Sequence, residues 1–202
     1  MNKKPKIAAL TPGKDFVFFD PNKHIDMRRS NLPHWQQDNC LYFVTFRLAD
    51  SIPSIKLQNW NSQHRSWLSR NPKPWSRHQA EEYLNHFKHK VERWLDQSHG
   101  TCLLKNKELK KTLVECLEYH DGARYQIDSY VIAANHVHVL VAPGSGHSLS
   151  KILKTWKGIS ARKINRILKR SGTLWQKESY DQIVRTPEAL EKIRRYISNH
   201  TI

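Results

Sequence analysis

Two strand-like runs separated by two residues constrain this chain more than any other feature. RYQIDSYVIA (124–133) and HVHVLVA (136–142) are rich in β-branched and aromatic residues, with Ala134 and Asn135 alone between them. A connection that short predicts an antiparallel hairpin with a tight turn. Side chains alternate along a strand, so Val137 and Val139 face one side of the sheet and His136 and His138 the other. Residues i and i+2 stand about 6–7 Å apart on one face, close enough for two imidazoles to converge on one metal ion. An H-x-H pair is equally an ordinary pair of polar residues near a strand end, and it needs a third partner before it means more.

The other elements follow from periodicity and stop signals. CLYFVTFRLA (40–49) reads as a buried strand. Pro53 and Ser54 open an amphipathic helix to about Arg70, closed by Asn71-Pro72-Lys73-Pro74. A second helix runs from about His78 to Gln97, with Tyr83, Phe87, Val91, Trp94 and Leu95 at three- and four-residue intervals. A third runs from Asn106, an N-cap, to Tyr119, and Asp121-Gly122 ends it. Beyond Pro143-Gly144-Ser145-Gly146 a helix begins near Ser148 and continues to Arg170. WQKESYDQIVR (175–185) reads as a strand, and Thr186-Pro187 caps a last helix reaching about residue 200. Residues 1–38, punctuated by Pro5, Pro12, Pro21 and Pro33, make an N-terminal arm to a domain of residues 39–202 with a helical insertion at about 54–120. Without the extra helices the order is β-α-β-β-α-β plus a C-terminal helix. That is a ferredoxin-like α+β pattern, an antiparallel sheet with helices packed on it.

Charge narrows the partners. Lys and Arg number 34 against 18 Asp and Glu, a formal net charge of +16, and such an excess points to a polyanion, most often nucleic acid. The helix SLSKILKTWKGISARKINRILKR (148–170) concentrates it, with Lys151, Lys154, Lys157, Arg162, Lys163, Arg166, Lys169 and Arg170 and no acidic residue. Leu149, Ile152, Leu153, Trp156, Ile159, Ile164, Ile167 and Leu168 form its core stripe, which leaves the cations for solvent or phosphate. Cys40, Cys102 and Cys116 contain no close pair, against a disulfide framework or a cysteine zinc site and in keeping with a reducing cytosol. The sequence has no apolar run of about 18 residues and no signal-peptide pattern, so the expected location is cytoplasmic, associated with the nucleoid.

The last helix offers the histidines their partner. On a helical wheel Leu190, Ile193 and Ile197 form the apolar stripe, with Tyr196 and His200 together at its edge, one turn apart. Packed on the sheet by that stripe, the helix brings a phenol and an imidazole near the histidine face. Arg194 and Arg195 precede Tyr196, and a positive field favours an ionised, nucleophilic phenol. A half-buried aromatic with a polar tip is the plainer reading. Tyr180, beside Asp181, is the rival nucleophile.

Four stretches together resemble a family: NLPHWQQDNCLYFVTFRLADSIP (31–53), NHVHVLV (135–141), LWQKESYDQIVR (174–185) and RRYISNH (194–200). In this order they resemble the REP-associated tyrosine transposases, IS200-like members of the HUH single-strand endonucleases. The resemblance implies that His136 and His138 hold a divalent metal, Mg²⁺ or Mn²⁺, with His200 as third ligand and Asn199 as fallback. It implies that Tyr196 is the nucleophile, forming a 5′-phosphotyrosine and freeing a 3′-OH, and that the substrate is a single strand folded as a REP-type hairpin. Arg28, Arg29 and Arg47, with Arg194 and Arg195, join the basic helix as expected DNA contacts, and the protein acts as a monomer or homodimer. Ala134 stands where the family's first motif often has Pro. Two other readings stay open: a hairpin-binding protein of the same fold without catalysis, and a metal-dependent nuclease using water.

Overall fold

The computed structural model describes residues 9–29 and 33–200. A short ladder of β1 (Asp26–Arg29) and β2 (Pro33–Gln36) precedes β3 (Tyr42–Arg47). Then come α1 (Ser54–Arg70), α2 (Arg77–Tyr83), a π-helical turn (Leu84–Lys88), α3 (His89–Asp96), a 3-10 turn (Leu103–Lys105) and α4 (Lys107–Glu118). The chain finishes with β4 (Tyr125–Ile132), β5 (His136–Pro143), α5 (Leu149–Ile167), β6 (Tyr180–Ile183) and α6 (Pro187–Asn199). β3 to β6 form one sheet in the order β4-β5-β3-β6, every neighbour antiparallel. The class is α+β, and the expected hairpin is the β4–β5 pair.

Alternation along the two inner strands assigns the faces. Tyr42, Val44 and Phe46 of β3 and Val137, Val139 and Val141 of β5 pack with Leu109, Leu113 and Leu117 of α4 and Ile152, Trp156 and Ile164 of α5. Each such side chain stabilises by roughly 1.5–3 kcal/mol on burial, and a one-residue slip would turn the whole set outward, so the register is fixed. On the opposite face Leu41, Phe43, Val131 and Leu140 meet Leu190 and Ile197 of α6 and Leu10 and Phe16 of the N-terminal segment. Asn106 caps α4 by accepting from Glu108 N and Leu109 N, and Thr186 caps α6 by accepting from Ala189 N, with Pro187 at the first position.

Four differences from the sequence reading have physical causes. The strand expected at 175–185 is confined to 180–183. Trp175 makes one bridge to Leu48, after which the Lys157 ammonium donates to Gln176 O (2.7 Å), Lys177 O (2.8 Å) and Ser179 Oγ (3.1 Å) and holds 176–179 in a loop. Lys157 is thereby drawn off the cationic surface expected of it. Ile167, expected in the core stripe of α5, is exposed in the last turn of the helix. Finally, α4 belongs to the sheet's main core, whereas α1 to α3 carry an aromatic cluster of their own. In it Trp60 stacks on His64 (4.5 Å), Trp75 lies against Tyr83 (4.6 Å) and Trp67 meets Trp75 edge-on (5.1 Å).

That excursion leaves and rejoins the sheet region at one point. Thr101 N donates to the Asp50 carboxylate (2.8 Å), and Gly100 sits at φ +84°, so close that a Cβ there would collide with the Asp50 carbonyl. Among the described residues no helix is long and apolar enough to cross a membrane.

Candidate metal and nucleophile site

His136 and His138 stand on β5, an inner strand of the sheet, on the face that α6 covers. Their ligating nitrogens and that of His200, which caps the end of α6, all lie within 4.8 Å of one another. α6 is held there by Leu190 and Ile197, and Tyr196 projects beside His200 from its last turn. The Tyr196 hydroxyl is 3.2 Å from His138 Nε2. Phe43 stacks on His138 at 5.3 Å and meets the Tyr196 ring edge-on at 6.2 Å, fixing both rings.

The polar neighbours decide which nitrogen faces the cluster. Asn135 Nδ2 donates to His99 O (2.9 Å), so its amide oxygen is turned to accept from His136 Nδ1 (2.9 Å). His136 is 1% exposed, and its Nε2 is a buried lone pair without a hydrogen-bond partner. An orphaned buried nitrogen costs on the order of 1–3 kcal/mol unless something binds it. His138 is held the same way, with Thr45 Oγ1 2.7 Å from its Nδ1 and its Nε2 toward Tyr196. A hydrogen-bonded Nδ1 with an inward Nε2 is the arrangement that orients metal-binding histidines, so the three imidazoles could hold a metal ion. Thr45 and Asn135 were not singled out by sequence reasoning. The signal was available in Asn135, the residue immediately before the pair, and in the strand alternation that sets Thr45 opposite His138.

Electrostatics favour neutral ligands. Burial, and after it the charge of His200, lowers His136 to about 3. Burial also pushes His138 well below the ordinary histidine range, with His136 and His200 adding to it, and lowers His200 against the pull of Asp96. Neutral imidazoles are what a cation requires. The sign for stability follows. The unfolded chain takes up protons near the ordinary histidine value of about 6.5, while the folded site resists them down to about 3. Stability is therefore full above that upper value and falls as the pH drops through the window. In a chelating buffer the urea midpoint is expected to be lower at pH 5 than at pH 7, and equal midpoints would contradict buried neutral histidines.

The phenol differs from its sequence reading. Arg194 does not electrify it, because its guanidinium turns to the buried Asp128 carboxylate and to Leu10 O (2.8 Å). Burial, then Asp96 and Glu92, raise Tyr196 instead. Tyr180 lies in the same row of the sheet, two strands from His138, and its hydroxyl donates to Gln182 Oε1 (3.0 Å).

Beside these groups opens a cleft of about 720 Å³, lined by His136, Tyr196 and His200 with Lys105, Lys192 and Arg195. Residues 101–200, which carry all of these side chains, match the family model described as transposase IS200-like. Over that span the chain belongs to the IS200-like transposase family. No curated protein matches the sequence. In structure this transposase is similar to a transposase candidate from Deinococcus radiodurans R1, at 14% identity and TM-score 0.42, covering 79% of this chain and 89% of that one. It is also similar to a REP-associated tyrosine transposase bound to a REP hairpin, at 11% identity and TM-score 0.45, covering 84% of this chain and 70% of that one.

Apart from Lys157, held by the 176–179 loop, and Arg194, held by Asp128, the transposase's expected DNA contacts among the described side chains fall in three places. Arg195 lines the cleft, together with Lys105 and Lys192, two cations that sequence reading passed over. Lys151, Lys154, Arg162, Lys163, Arg166, Lys169 and Arg170 are exposed on and just beyond α5, whose core side chains grip the sheet face opposite the histidines. None of them lines the cleft. Arg47, directly opposite His136 across the ladder, is largely buried, donates to Ser51 Oγ (2.9 Å) and is lowered by burial to about 10. The side chains of Arg28 and Arg29 lie outside the described residues.

Proposed function

We propose that this transposase cleaves and rejoins single-stranded DNA at REP-type hairpins with Tyr196 as nucleophile. The observation that carries the reading is the Tyr196 hydroxyl 3.2 Å from His138 Nε2 within a cluster of three imidazoles. His136, His138 and His200 would hold a divalent cation, which supplies charge neutralisation at a non-bridging phosphate oxygen. The chain's own groups do the rest. Tyr196 Oη forms a bond to phosphorus as the bond to the 3′ oxygen breaks, giving a 5′-phosphotyrosine, while the phenol loses its proton and the departing 3′ oxygen gains one. Burial and two nearby carboxylates disfavour the phenolate while no cation is bound, and a bound cation would act in the opposite sense. A second 3′-OH reverses the step and joins strands, so no external energy source is required. Lys105, Lys192 and Arg195 flank the path of the backbone in the cleft, while α5 offers phosphate contacts for the stem.

The strand order β4-β5-β3-β6 supports the ferredoxin-like topology, with residues 39–202 as the transposase unit preceded by an arm of residues 1–38. A 3′-end-labelled single-stranded hairpin incubated with the protein and Mn²⁺ is expected to give a labelled protein band on a denaturing gel. Cleavage with all label free would instead point to water as nucleophile, and binding without cleavage to a hairpin-binding protein.

A further inference from the structure

We propose that the His99 carbonyl, just beyond α3, is a positioning group for the metal site, locking the Asn135 amide in the one orientation that leaves His136 Nε2 free to bind. The inference rests on the metal reading above and reaches outside the 101–200 family span. An amide has an acceptor on one side and donors on the other, and a neutral imidazole has one of each. Asn135 Oδ1 faces His136 Nδ1 at 2.9 Å, so Nδ1 carries the proton and donates, and Nε2 keeps its lone pair. Turned over, the amide would present Nδ2 instead. His136 Nδ1 would then have to accept, and the ring proton would sit on Nε2, where it shuts out a cation. Nδ2 is kept on the far side because it donates to His99 O (2.9 Å). Asn135 is fully buried and His136 is 1% exposed, so no bulk solvent competes for either partner.

The backbone around Asn135 does not depend on that carbonyl. Asn135 O accepts from Leu48 N (2.8 Å) and Ala134 O from Leu104 N (3.1 Å), so His99 governs the side chain alone. His99 is in turn fixed by the closure of the excursion. Lys56 Nζ of α1 lies 3.0 Å from its ring Nε2. Thr101 N donates to the Asp50 carboxylate, and a Cβ on Gly100 would lie 2.4 Å from Asp50 O. Gly100, which does not line the cleft, thus fixes through two hydrogen bonds which nitrogen of His136 faces the cluster.

Two measurements on the full chain without DNA test this positioning. The ring ¹⁵N shifts of His136 in metal-free protein report which nitrogen carries the proton, and the electron paramagnetic resonance of free Mn²⁺ gives the affinity. Gly100→Ala must displace the backbone at 99–101. It is expected to move much of the proton population to Nε2 and to raise the Mn²⁺ Kd by about tenfold. Gly122→Ala imposes a like backbone, φ +83°, with nothing near its Cβ, and should change neither readout. Asn135→Asp offers His136 acceptors only, so adding Gly100→Ala to it should cost little further affinity. Asp50→Ala, which removes the acceptor of Thr101 N, loosens the same segment more gently and should shift both readouts the same way, serving where Gly100→Ala does not fold. An unchanged His136 tautomer in these variants, or an equal affinity loss from Gly100→Ala with and without Asn135→Asp, overturns the role of His99 and leaves the histidine site standing. A chain that binds no Mn²⁺ overturns the metal reading, while the tautomer still decides whether His99 sets the ring.

Discussion

Tyr196→Phe is expected to abolish the covalent protein–DNA adduct and to lower single-strand cleavage by about 10⁴-fold or more. The substitution removes one oxygen and little else. The ring keeps its edge-on contact with Phe43 and its place against the apolar cluster under α6. What is lost is the hydroxyl at His138 Nε2, a hydrogen bond whose net contribution to stability is about 1 kcal/mol. Cleavage and stability should thus separate, with the adduct gone and the urea midpoint nearly unmoved. Tyr180→Phe is the matched control, because that hydroxyl points to Gln182 and should leave adduct formation intact. An adduct that persists in Tyr196→Phe and vanishes in Tyr180→Phe would reverse the assignment.

The second large effect concerns the anchor of α6. Arg194→Ala leaves the Asp128 carboxylate, fully buried, without its charged partner. Breaking a buried pair by removing one member costs about 3–5 kcal/mol, and the lower end applies here because Leu10 N still donates to Asp128 Oδ1 (2.8 Å). For a chain of this size that is a fall of roughly 6–12 °C in Tm. Arg194 also donates to Leu10 O, so its loss frees the N-terminal segment and α6 together. The double variant Asp128→Ala with Arg194→Ala should recover part of the stability, since no buried charge remains. If Arg194→Ala melts with the unchanged protein, the pair does not hold α6 on the sheet.

These two variants also mark which placements in the fold were legible in the sequence and which were not. Tyr196 and His200 were legible because a stripe of Leu190, Ile193 and Ile197 fixes the angular position of every other residue on α6. His136 and His138 were legible for the same reason on a period of two. Arg194 was legible as a cation but not as a partner, because its carboxylate lies on β4, 66 positions away. Asp128 sits where the β4–β5 register slips between Ile127 and Ser129, a bulge that redirects one side chain. No periodicity announces such a slip. Lys157 failed similarly, since the carbonyls that capture it belong to a loop about 20 residues on whose path only packing determines. Asp96 was invisible for a third reason. Nothing in the sequence says that a helix inserted before the histidine hairpin ends against it.

The contact between Asp50 and Gly100 gives that excursion an unusual freedom. A stretch of chain whose two ends touch is a cassette, since it could be cut out and replaced by a short turn without shifting β3 against β5. Most such cassettes would alter only the surface. This one sets Asp96 3.9 Å from His200 Nε2 and His99 O against the Asn135 amide, so exchanging it would change the charge and the support beside the histidine cluster without touching the histidines themselves.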